Sequence, residues 1–444
     1  MKIRLTDEFV LFGASGDLAR NKLIPALFTV FSTGKRARYI GYGRTALTTE
    51  SFRDIVRTSV LAERPDADLH TLDKFIASWD YCCGGYDEDG ISTLPKADKN
   101  AFRYYYLSIP SDTSLIRNIC DGLKRHGHIT RHSVIVLEKP FGSDFASAEA
   151  LNGILLDHFT EKQLYRIDHY LARDLVQDLL ALRFANPIFE QIWNGKYIES
   201  ISIEIKEEEG IRNRGEYYDR SGAIRDMIQN HALQLLAFSV MRQPKDLTPE
   251  SIHREKIRVM EHIRLFDTGE EKSIRVGQYK GYTDEPHVAK DSLTETSASL
   301  QVGIDLPKWR DVPIRILTGK KLNEKTTDII VEFRNVGHSL WTKDGCEIMN
   351  NQIRINVQPR NEISLRLNSE FDSKLKCAYP TELRFGFADN AFILNKPYEN
   401  ALRDLFERDR SMYIGSKEIL AAWRFIDGVI KKIDENRAGM IERY

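Results

Sequence analysis

The chain of 444 residues is too long for one small hydrophobic core, so two domains are expected. Its 64 basic and 65 acidic side chains nearly cancel, which predicts no general attraction to nucleic acid or to an anionic membrane surface. No apolar stretch reaches the roughly 20 residues of a membrane span, and the first apolar run is too short for a signal peptide, so we expect a cytoplasmic protein.

The first part of the chain alternates strand-length apolar runs with helical patterns. The runs are 'FVLFG' (9–13), 'ARYIGYG' (37–43), 'FRYYYLSI' (102–109) and 'SVIVLEKP' (133–140), and a helical pattern (17–31) follows the first of them. Strands that alternate with helices form crossover units, which place helices on both faces of a parallel sheet. We therefore predict an α/β domain over residues 1–165.

Beyond the midpoint of the chain the pattern changes to strands with alternating apolar and polar residues. They are 'SISIEIKE' (200–207), 'SASLQVGID' (297–305), 'DIIVEFRNV' (328–336), 'QIRINVQP' (352–359) and 'EISLRLN' (362–368). Alternation of this kind is typical of a mostly antiparallel sheet with one buried face. Helical patterns at 222–241, 397–408 and 416–436 would cover that face, so residues 166–444 are predicted to form a larger α+β domain.

Five cysteines are scattered along the chain, without the paired spacing of a zinc or redox site. We expect no metal site and interpret the cysteines as free thiols. They are Cys82, Cys83, Cys120, Cys346 and Cys377.

A glycine turn follows the first predicted strand in 'LFGASGDLAR' (11–20). Small residues let the backbone approach a pyrophosphate, and the amides at the start of the next helix then bind it. The spacing is shorter than the full dinucleotide-binding fingerprint, and an ordinary strand-to-helix turn is the alternative. The candidate nucleotide-binding residues here are Gly13, Ala14, Ser15, Gly16, Asp17 and Leu18.

The end of the second predicted strand bears on the choice of nucleotide. Domains that select NAD usually carry an acid there, whereas a 2'-phosphate calls for arginine. This strand ends in Arg44, with no acid, so NADP is favoured over NAD. Arg44 and the hydroxyl of Ser15 are the candidate phosphate ligands, although an exposed arginine is also common at strand ends.

Several motifs in one order give a resemblance to a known family. They include 'GASGDLA' (13–19), 'EKPFG' (138–142), 'RIDHYLARD' (166–174), 'IRDMIQNH' (224–231), 'TGKKLNEK' (318–325) and 'VQP' (357–359). In this combination the chain resembles the glucose-6-phosphate dehydrogenase family, nearly end to end. The usual family motif 'RIDHYLGKE' is changed here to Ala172, Arg173 and Asp174.

The resemblance implies a Rossmann-like NADP-binding domain (1–165) and a substrate-binding and dimerisation domain (166–444). It implies oxidation of C1 of glucose 6-phosphate to 6-phosphogluconolactone with hydride transfer to NADP+, the first step of the oxidative pentose phosphate pathway. It also implies a homodimer or a dimer of dimers.

Three residues are assigned to the chemistry. His231 matches the catalytic base of the family, and a histidine can accept a proton near neutral pH. Asp168 would orient its ring and stabilise the imidazolium. Lys139, at the end of a predicted strand, would contact both cofactor and sugar. From the residues alone, His231 could equally be a core histidine, and Asp168 could be the cap of a helix that begins after it.

The sugar phosphate would be bound by His169, Tyr170 and Arg173. His169 and Arg173 are four residues apart and would share one face of a helix, although a solvated basic face has the same spacing. By resemblance, the other substrate ligands are Lys22, Lys139, Glu207, Asp226, Lys320, Lys325 and Gln358.

The predicted helix at 222–241 raises one geometric difficulty. On a regular α-helix, Asp226 and His231 lie about 140° apart. Both could contact one sugar only if the ligand wraps around the helix or if Asp226 precedes its regular part.

Two other functions remain open. The changes at Ala172 and Arg173 also fit a paralogous dehydrogenase that acts on a different phosphorylated or amino sugar. The third interpretation is a non-catalytic regulatory protein on the same scaffold.

Overall fold

The computed structural model describes residues 7–267, 269, 272–335, 348–372, 377–386 and 397–444. It divides into two compact units, Met1–Ala172 with Asn395–Leu420, and Arg173–Leu394 with Ala421–Tyr444. In these residues, no helix has both the length and the apolar character needed to span a membrane.

The first unit contains a parallel sheet of six strands in the order β3-β2-β1-β4-β5-β6. Because all six strands point the same way, their carboxyl ends share one edge of the sheet. This order is that of a doubly wound dinucleotide-binding fold. The strands are β1 (Asp7–Phe12), β2 (Ala37–Gly43), β3 (Trp79–Cys83), β4 (Arg103–Leu107), β5 (Ser133–Glu138) and β6 (Leu164–Ile167).

Helices connect these strands, as the alternating sequence pattern predicts. A short π-helix (Ala19–Leu23) and a 3-10 helix (Glu161–Gln163) complete the connections. The α-helices are α1 (Ile24–Ser32), α2 (Thr49–Glu63), α3 (Leu69–Ala77), α4 (Glu88–Ile91), α5 (Thr113–Arg125) and α6 (Phe145–His158).

The second unit contains a mixed sheet of ten strands in the described residues, mostly antiparallel, in the order β15-β14-β13-β12-β7-β11-β10-β9-β16, with β8 paired to β10. Only β7 with β11 and β9 with β16 are parallel among these pairs. The strands are β7 (Ile198–Lys206), β8 (Ile263–Leu265), β9 (Ile274–Gln278), β10 (Ser297–Ile304), β11 (Ile314–Gly319), β12 (Thr326–Phe333), β13 (Gln352–Gln358), β14 (Glu362–Asp372), β15 (Cys377–Gly386) and β16 (Ile441–Arg443).

The remaining helices include a second π-helix (Ile224–Ala232), which packs against β7 and β11, and a 3-10 helix (Tyr282–Asp284). The α-helices are α7 (Asp174–Phe184), α8 (Pro187–Ile192), α9 (Gly215–Ala223), α10 (Leu233–Val240), α11 (Pro249–Met260), α12 (Pro397–Glu407), α13 (Ser416–Asp434) and α14 (Arg437–Met440). The predicted fold class, a parallel coenzyme domain followed by a larger α+β domain, is confirmed.

Helix α12 belongs to the first unit, although the predicted boundary at residue 165 places it in the second domain. It lies against α1, and its Phe406 ring is 5.9 Å from that of Phe9 in β1. The buried Glu399 accepts hydrogen bonds from Thr29 (3.2 Å) and from Arg64 (2.6 Å). The hydrophobic face of the parallel sheet is therefore completed by a segment more than 200 residues away in sequence.

The cysteine prediction is correct in part. Cys82, Cys83 and Cys120 are free thiols. Cys377 is disulfide-bonded, so the prediction is wrong for this residue. Cys346 lies outside the described residues.

Candidate active site

The glycine turn lies directly after β1. Gly13 has φ +71°, and a Cβ there would lie 2.2 Å from the carbonyl oxygen of Ser108, which follows β4. Only glycine fits this position without strain. The amide of Gly16 donates to the Gly13 carbonyl (2.9 Å), and helical structure begins at Asp17. The backbone here is shaped to let a pyrophosphate approach the start of a helix.

The candidate 2'-phosphate ligands lie beside this turn. The hydroxyl of Ser15 is 3.1 Å from that of Thr45, the residue after Arg44. The exposed guanidinium of Arg44 lies over the ring of Tyr86, 5.5 Å from its centroid. Thr45 and Tyr86 were not predicted from the sequence as neighbours of the phosphate ligands. For Thr45 the signal was its position directly after Arg44 in 'GRT' (43–45), whereas no local pattern distinguished Tyr86.

Lys139 follows β5 at the same carboxyl edge of the sheet as the glycine turn, and its peptide bond to Pro140 is cis. The preceding residue, Glu138, is buried and accepts a hydrogen bond from the Tyr106 hydroxyl (2.5 Å). Burial raises the pKa of Glu138 to about 7, although hydrogen bonds from Tyr106 and Tyr398 oppose this shift. Sequence analysis missed this carboxyl group, because 'EKP' does not show that its glutamate points into the core.

Glu138 should make stability depend on pH. Its pKa in the folded state is higher than in the unfolded chain, so the folded state binds more protons between pH 4.5 and 7. The free energy of unfolding should therefore fall as pH rises through this window and then level off, by up to about 3 kcal/mol in total. Denaturant unfolding of wild type and Glu138→Gln at several pH values measures this difference.

The exposed Glu149→Gln is the control for that experiment, and it should keep the wild-type profile. Parallel profiles for wild type and Glu138→Gln would show that Glu138 titrates normally.

The segment 168–173 is a turn, and the predicted helix through it is wrong. The buried carboxylate of Asp168 accepts a hydrogen bond from the amide of Tyr170 (2.9 Å), and the amide of Leu171 donates to the Asp168 carbonyl (3.0 Å). Such local bonds compete with a helix. Helix α7 begins only at Asp174, so His169 and Arg173 do not share a helical face, and Asp168 does not cap a helix.

Asp168 and His169 nevertheless follow β6 at the carboxyl edge of the parallel sheet, the edge that carries the glycine turn, Arg44 and Lys139. The ring of His169 lies 4.9 Å from that of Tyr170. The structure therefore brings the nucleotide candidates and the first half of 'RIDHYLARD' to one edge of the first unit.

The two arginines of that motif have different surroundings. Arg166 is buried and donates to Asn152 and to Ser416, both at 2.8 Å, so it has a structural role within the first unit. Arg173, in the second unit, donates to the side-chain carbonyl of Gln358 at the end of β13 (2.8 Å). Arg173 and Gln358, both predicted substrate ligands, are thus neighbours.

Glu207 and Lys320 form an ion pair in the second unit. They directly follow β7 and β11, which are adjacent and parallel, so both lie at one edge of the sheet. Strand β13 runs in the same direction as β7, so Gln358 ends at that edge too. The ammonium of the buried Lys320 is 5.6 Å from the ring centroid of Tyr218.

His231 and Asp226 are both buried in the second π-helix. A π-helix closes its turns from residue i to residue i+5, so these two residues lie one turn apart on the same side. This geometry removes the predicted 140° separation, which assumes an α-helix. Gly222 (φ +66°) interrupts the helical conformation just before the π-helix. The residues before Asp226 are therefore irregular, which was one of the two possibilities left by the sequence.

Two tyrosines complete this region and were missed by the sequence analysis. The hydroxyl of Tyr217 donates to Asp226 (3.1 Å), and burial with the nearby Asp226 carboxylate raises the pKa of Tyr217. Burial also raises the pKa of Tyr218, with Asp226, Glu295 and Glu207 adding to the shift. The two tyrosines therefore remain protonated beside the acids; their signal was the aromatic pair in 'EYYDRSG' (216–222).

Two predicted ligands are exposed. Lys22 lies on the first π-helix, after the glycine turn. Lys325 lines a cavity of about 660 Å³ with Arg354 and Arg360, at the start of β12. Within the part of the chain that the structure describes, Lys325 makes no hydrogen bond or ion pair with the Glu207–Lys320 pair.

Both parts of the chain match models of one protein family. Residues 10–178 match the glucose-6-phosphate dehydrogenase NAD binding domain, and residues 180–444 match the C-terminal domain of the same family. The boundary between the two matches falls just after the turn at 168–173.

Full-length relatives and a solved structure match as well. The glucose-6-phosphate 1-dehydrogenase of Gluconobacter oxydans is 34% identical, over 98% of this chain and 92% of the relative. That of Bacillus subtilis is 35% identical, over 95% and 90%. A glucose-6-phosphate dehydrogenase solved with its substrate glucose 6-phosphate superposes with a TM-score of 0.90 at 30% identity, covering 100% of this chain and 95% of that one. The chain belongs to the glucose-6-phosphate dehydrogenase family.

Proposed function

We propose that this protein is an NADP-dependent glucose-6-phosphate dehydrogenase, which oxidises C1 of glucose 6-phosphate to the lactone. One observation carries the proposal: in the second unit, the Glu207–Lys320 pair lies at the ends of β7 and β11, against which the π-helix with Asp226 and His231 packs. An acid, an ammonium group and an imidazole in one region can bind sugar hydroxyls and remove a proton.

The roles of the reacting groups follow from their chemistry. His231 accepts the proton of the 1-hydroxyl group as C1 becomes the lactone carbonyl. Asp168 supplies the carboxylate that orients the imidazole and stabilises its protonated form. Lys139 is assigned to contact both the cofactor and the sugar. Alignment of the two reactants can lower the barrier by roughly 7 kcal/mol or more.

The sugar phosphate is bound by His169, Tyr170 and Arg173, in our proposal. Glu207 and Asp226 accept hydrogen bonds from sugar hydroxyls. Lys22, Lys320, Lys325 and Gln358 complete the set of ligands. The contact between Arg173 and Gln358 supports a shared role for these two, because a side-chain amide can hold a guanidinium in place for a phosphate.

The residues at the carboxyl edge of the parallel sheet fit a nicotinamide dinucleotide. The glycine turn at 13–18 would bind the pyrophosphate, because small residues let the backbone approach it and the amides at the start of the helix can donate to it. Position 13 has no room for a side chain, since a Cβ there would collide with the Ser108 backbone. Arg44, with Ser15 and Thr45, would bind the 2'-phosphate, which supports NADP. When bound, NADP+ supplies the hydride acceptor. We assign this role to the first unit and sugar binding mainly to the second.

The state of the protein in the cell is part of the proposal. A homodimer or dimer of dimers is supported by the exposed Tyr379, Leu383 and Phe385 on β15, since such side chains favour an interface. The molar mass in solution, from light scattering, would show whether the chain assembles.

A cytoplasmic location is supported by a relative in Arabidopsis thaliana that is named cytoplasmic and is 33% identical over 98% of this chain and 87% of that one. Fractionation of source cells would measure the location.

One assay tests the function. Formation of the reduced nicotinamide is followed at 340 nm with glucose 6-phosphate, other hexose phosphates, amino-sugar phosphates and free glucose, each with NADP+ and NAD+. We expect kcat/KM to be largest for glucose 6-phosphate with NADP+. A larger value for another sugar would identify a paralogous dehydrogenase, and no hydride transfer with any sugar would identify a non-catalytic protein.

A further inference from the structure

Tyr444 lies beside the predicted substrate ligand Lys320. Strand β16 pairs with β9, and the chain continues into Tyr444, whose amide donates to the Gln278 carbonyl (3.3 Å). The Tyr444 carbonyl accepts from the amide of Lys280 (2.9 Å). The backbone on both sides of its side chain is therefore held by the sheet.

The hydroxyl of Tyr444 donates to the carbonyl oxygen of Lys320 (2.7 Å) and lies 3.0 Å from the Thr296 hydroxyl. Because a phenol has one proton, Thr296 is then the donor to Tyr444. The Thr296 hydroxyl oxygen accepts from the amide of Tyr279 (2.8 Å), and the Thr296 carbonyl accepts from the amide of Lys320 (2.9 Å). The amide and the carbonyl of Lys320 are thus both held by this pair of residues.

The turn that carries Lys320 needs such support. Lys321 has φ +50°, a conformation that costs a side-chain-bearing residue about 1 kcal/mol or more. Lys320 is buried, with 9% of its side chain exposed; its ammonium group pairs with Glu207 and lies near the Tyr218 ring. A lysine has many rotamers, so its ammonium group stays in one place only if its backbone is fixed.

We propose that Tyr444 is a positioning residue, which fixes the backbone of Lys320 and so places its ammonium group for the sugar phosphate. The inference rests on the proposed function for the role of Lys320 in substrate binding. The hydrogen bonds that hold Lys320 stand independently of it.

The test compares Tyr444→Phe with Tyr279→Phe. Tyr279 and Tyr444 pack in one cluster with Tyr218 and Tyr282. The hydroxyl of Tyr279, however, contacts Glu285 and the amide of Ile211, not Lys320. Tyr444→Phe should raise the KM for glucose 6-phosphate by about 3- to 10-fold, the effect of losing one hydrogen bond, and leave kcat and the KM for NADP+ within about 2-fold. Tyr279→Phe should leave all three constants unchanged.

Hydrogen exchange of the peptide 319–325, measured by mass spectrometry, is the second readout. It needs no activity, and exchange should be faster in Tyr444→Phe than in wild type or Tyr279→Phe. Thr296→Val, which removes the hydroxyl that supports Tyr444, should reproduce the rise in KM, and Thr296→Ser should not.

Unchanged exchange in Tyr444→Phe overturns the inference whatever the enzyme does. Faster exchange with an unchanged KM overturns it too, because the position of Lys320 would then not matter to the substrate. A wild-type protein without activity on glucose 6-phosphate would instead refute the proposed function. The inference would then fall too, because it places Lys320 for that substrate. This holds even if hydrogen exchange showed that Tyr444 anchors the Lys320 backbone.

Discussion

His231→Asn is expected to lower kcat with glucose 6-phosphate and NADP+ by ~10² to 10⁴-fold, the usual contribution of a general base. Asparagine keeps a planar polar group at this position but cannot accept the proton at neutral pH. His231 is fully buried in the π-helix, so a smaller polar residue should fit there without overpacking. Steady-state rates at 340 nm measure the loss, and the dissociation constant for NADP+ should change by less than about 2-fold.

His262→Asn is the matched control. His262 also lies in the second unit, but its ring nitrogen binds the Arg258 carbonyl (2.8 Å), a local structural contact. It should retain wild-type kcat. A His231→Asn variant that turns over at more than about a tenth of the wild-type rate would remove His231 from the role of base.

Arg44→Ala is expected to weaken binding of NADP+ by about 10- to 100-fold and to leave binding of NAD+ nearly unchanged. A charge-assisted hydrogen bond to a phosphate contributes about 1.5–3 kcal/mol, which corresponds to this range. NAD+ lacks the 2'-phosphate, so it has no group for Arg44 to bind. Dissociation constants for both nucleotides, from quenching of protein fluorescence, measure the difference.

The control for Arg44 lies on β2, the strand that Arg44 follows. Arg38, near the start of β2, pairs with Asp80 (2.9 Å), and Arg38→Ala should leave both dissociation constants unchanged. Equal weakening of NADP+ and NAD+ in Arg44→Ala would show that the arginine binds a part common to both nucleotides.

The sequence predicted the features that depend on local periodicity. Alternation of strands and helices was sufficient for the parallel sheet, and alternation of side chains for the second sheet. The need for glycine at position 13 was predicted from the turn after β1, and the structure explains it by the Ser108 carbonyl 2.2 Å from a hypothetical Cβ.

Features that apolar periodicity does not encode were not predicted correctly. The apolar residues of 'DHYLARDLVQDLLALRF' continue a helical pattern toward Asp168, but the Asp168 carboxylate bonds the Tyr170 amide and holds a turn instead. The predicted 140° separation of Asp226 and His231 does not hold because this segment is a π-helix, which the pattern of apolar residues did not distinguish from an α-helix. Tyr444 gave no signal at all, since its contact with Lys320 joins residues 124 positions apart.

The return of α12 to the first unit has a consequence for synthesis of the protein. When β6 has left the ribosome, Phe9 and Tyr104 still lack the ring of Phe406, and Arg64 lacks Glu399. At roughly 5–20 residues per second, roughly ten to fifty seconds pass before those partners are made. During that interval the nascent nucleotide-binding unit exposes an aromatic face to chaperones, and a gene fragment that stops at residue 172 would leave that face permanently uncovered.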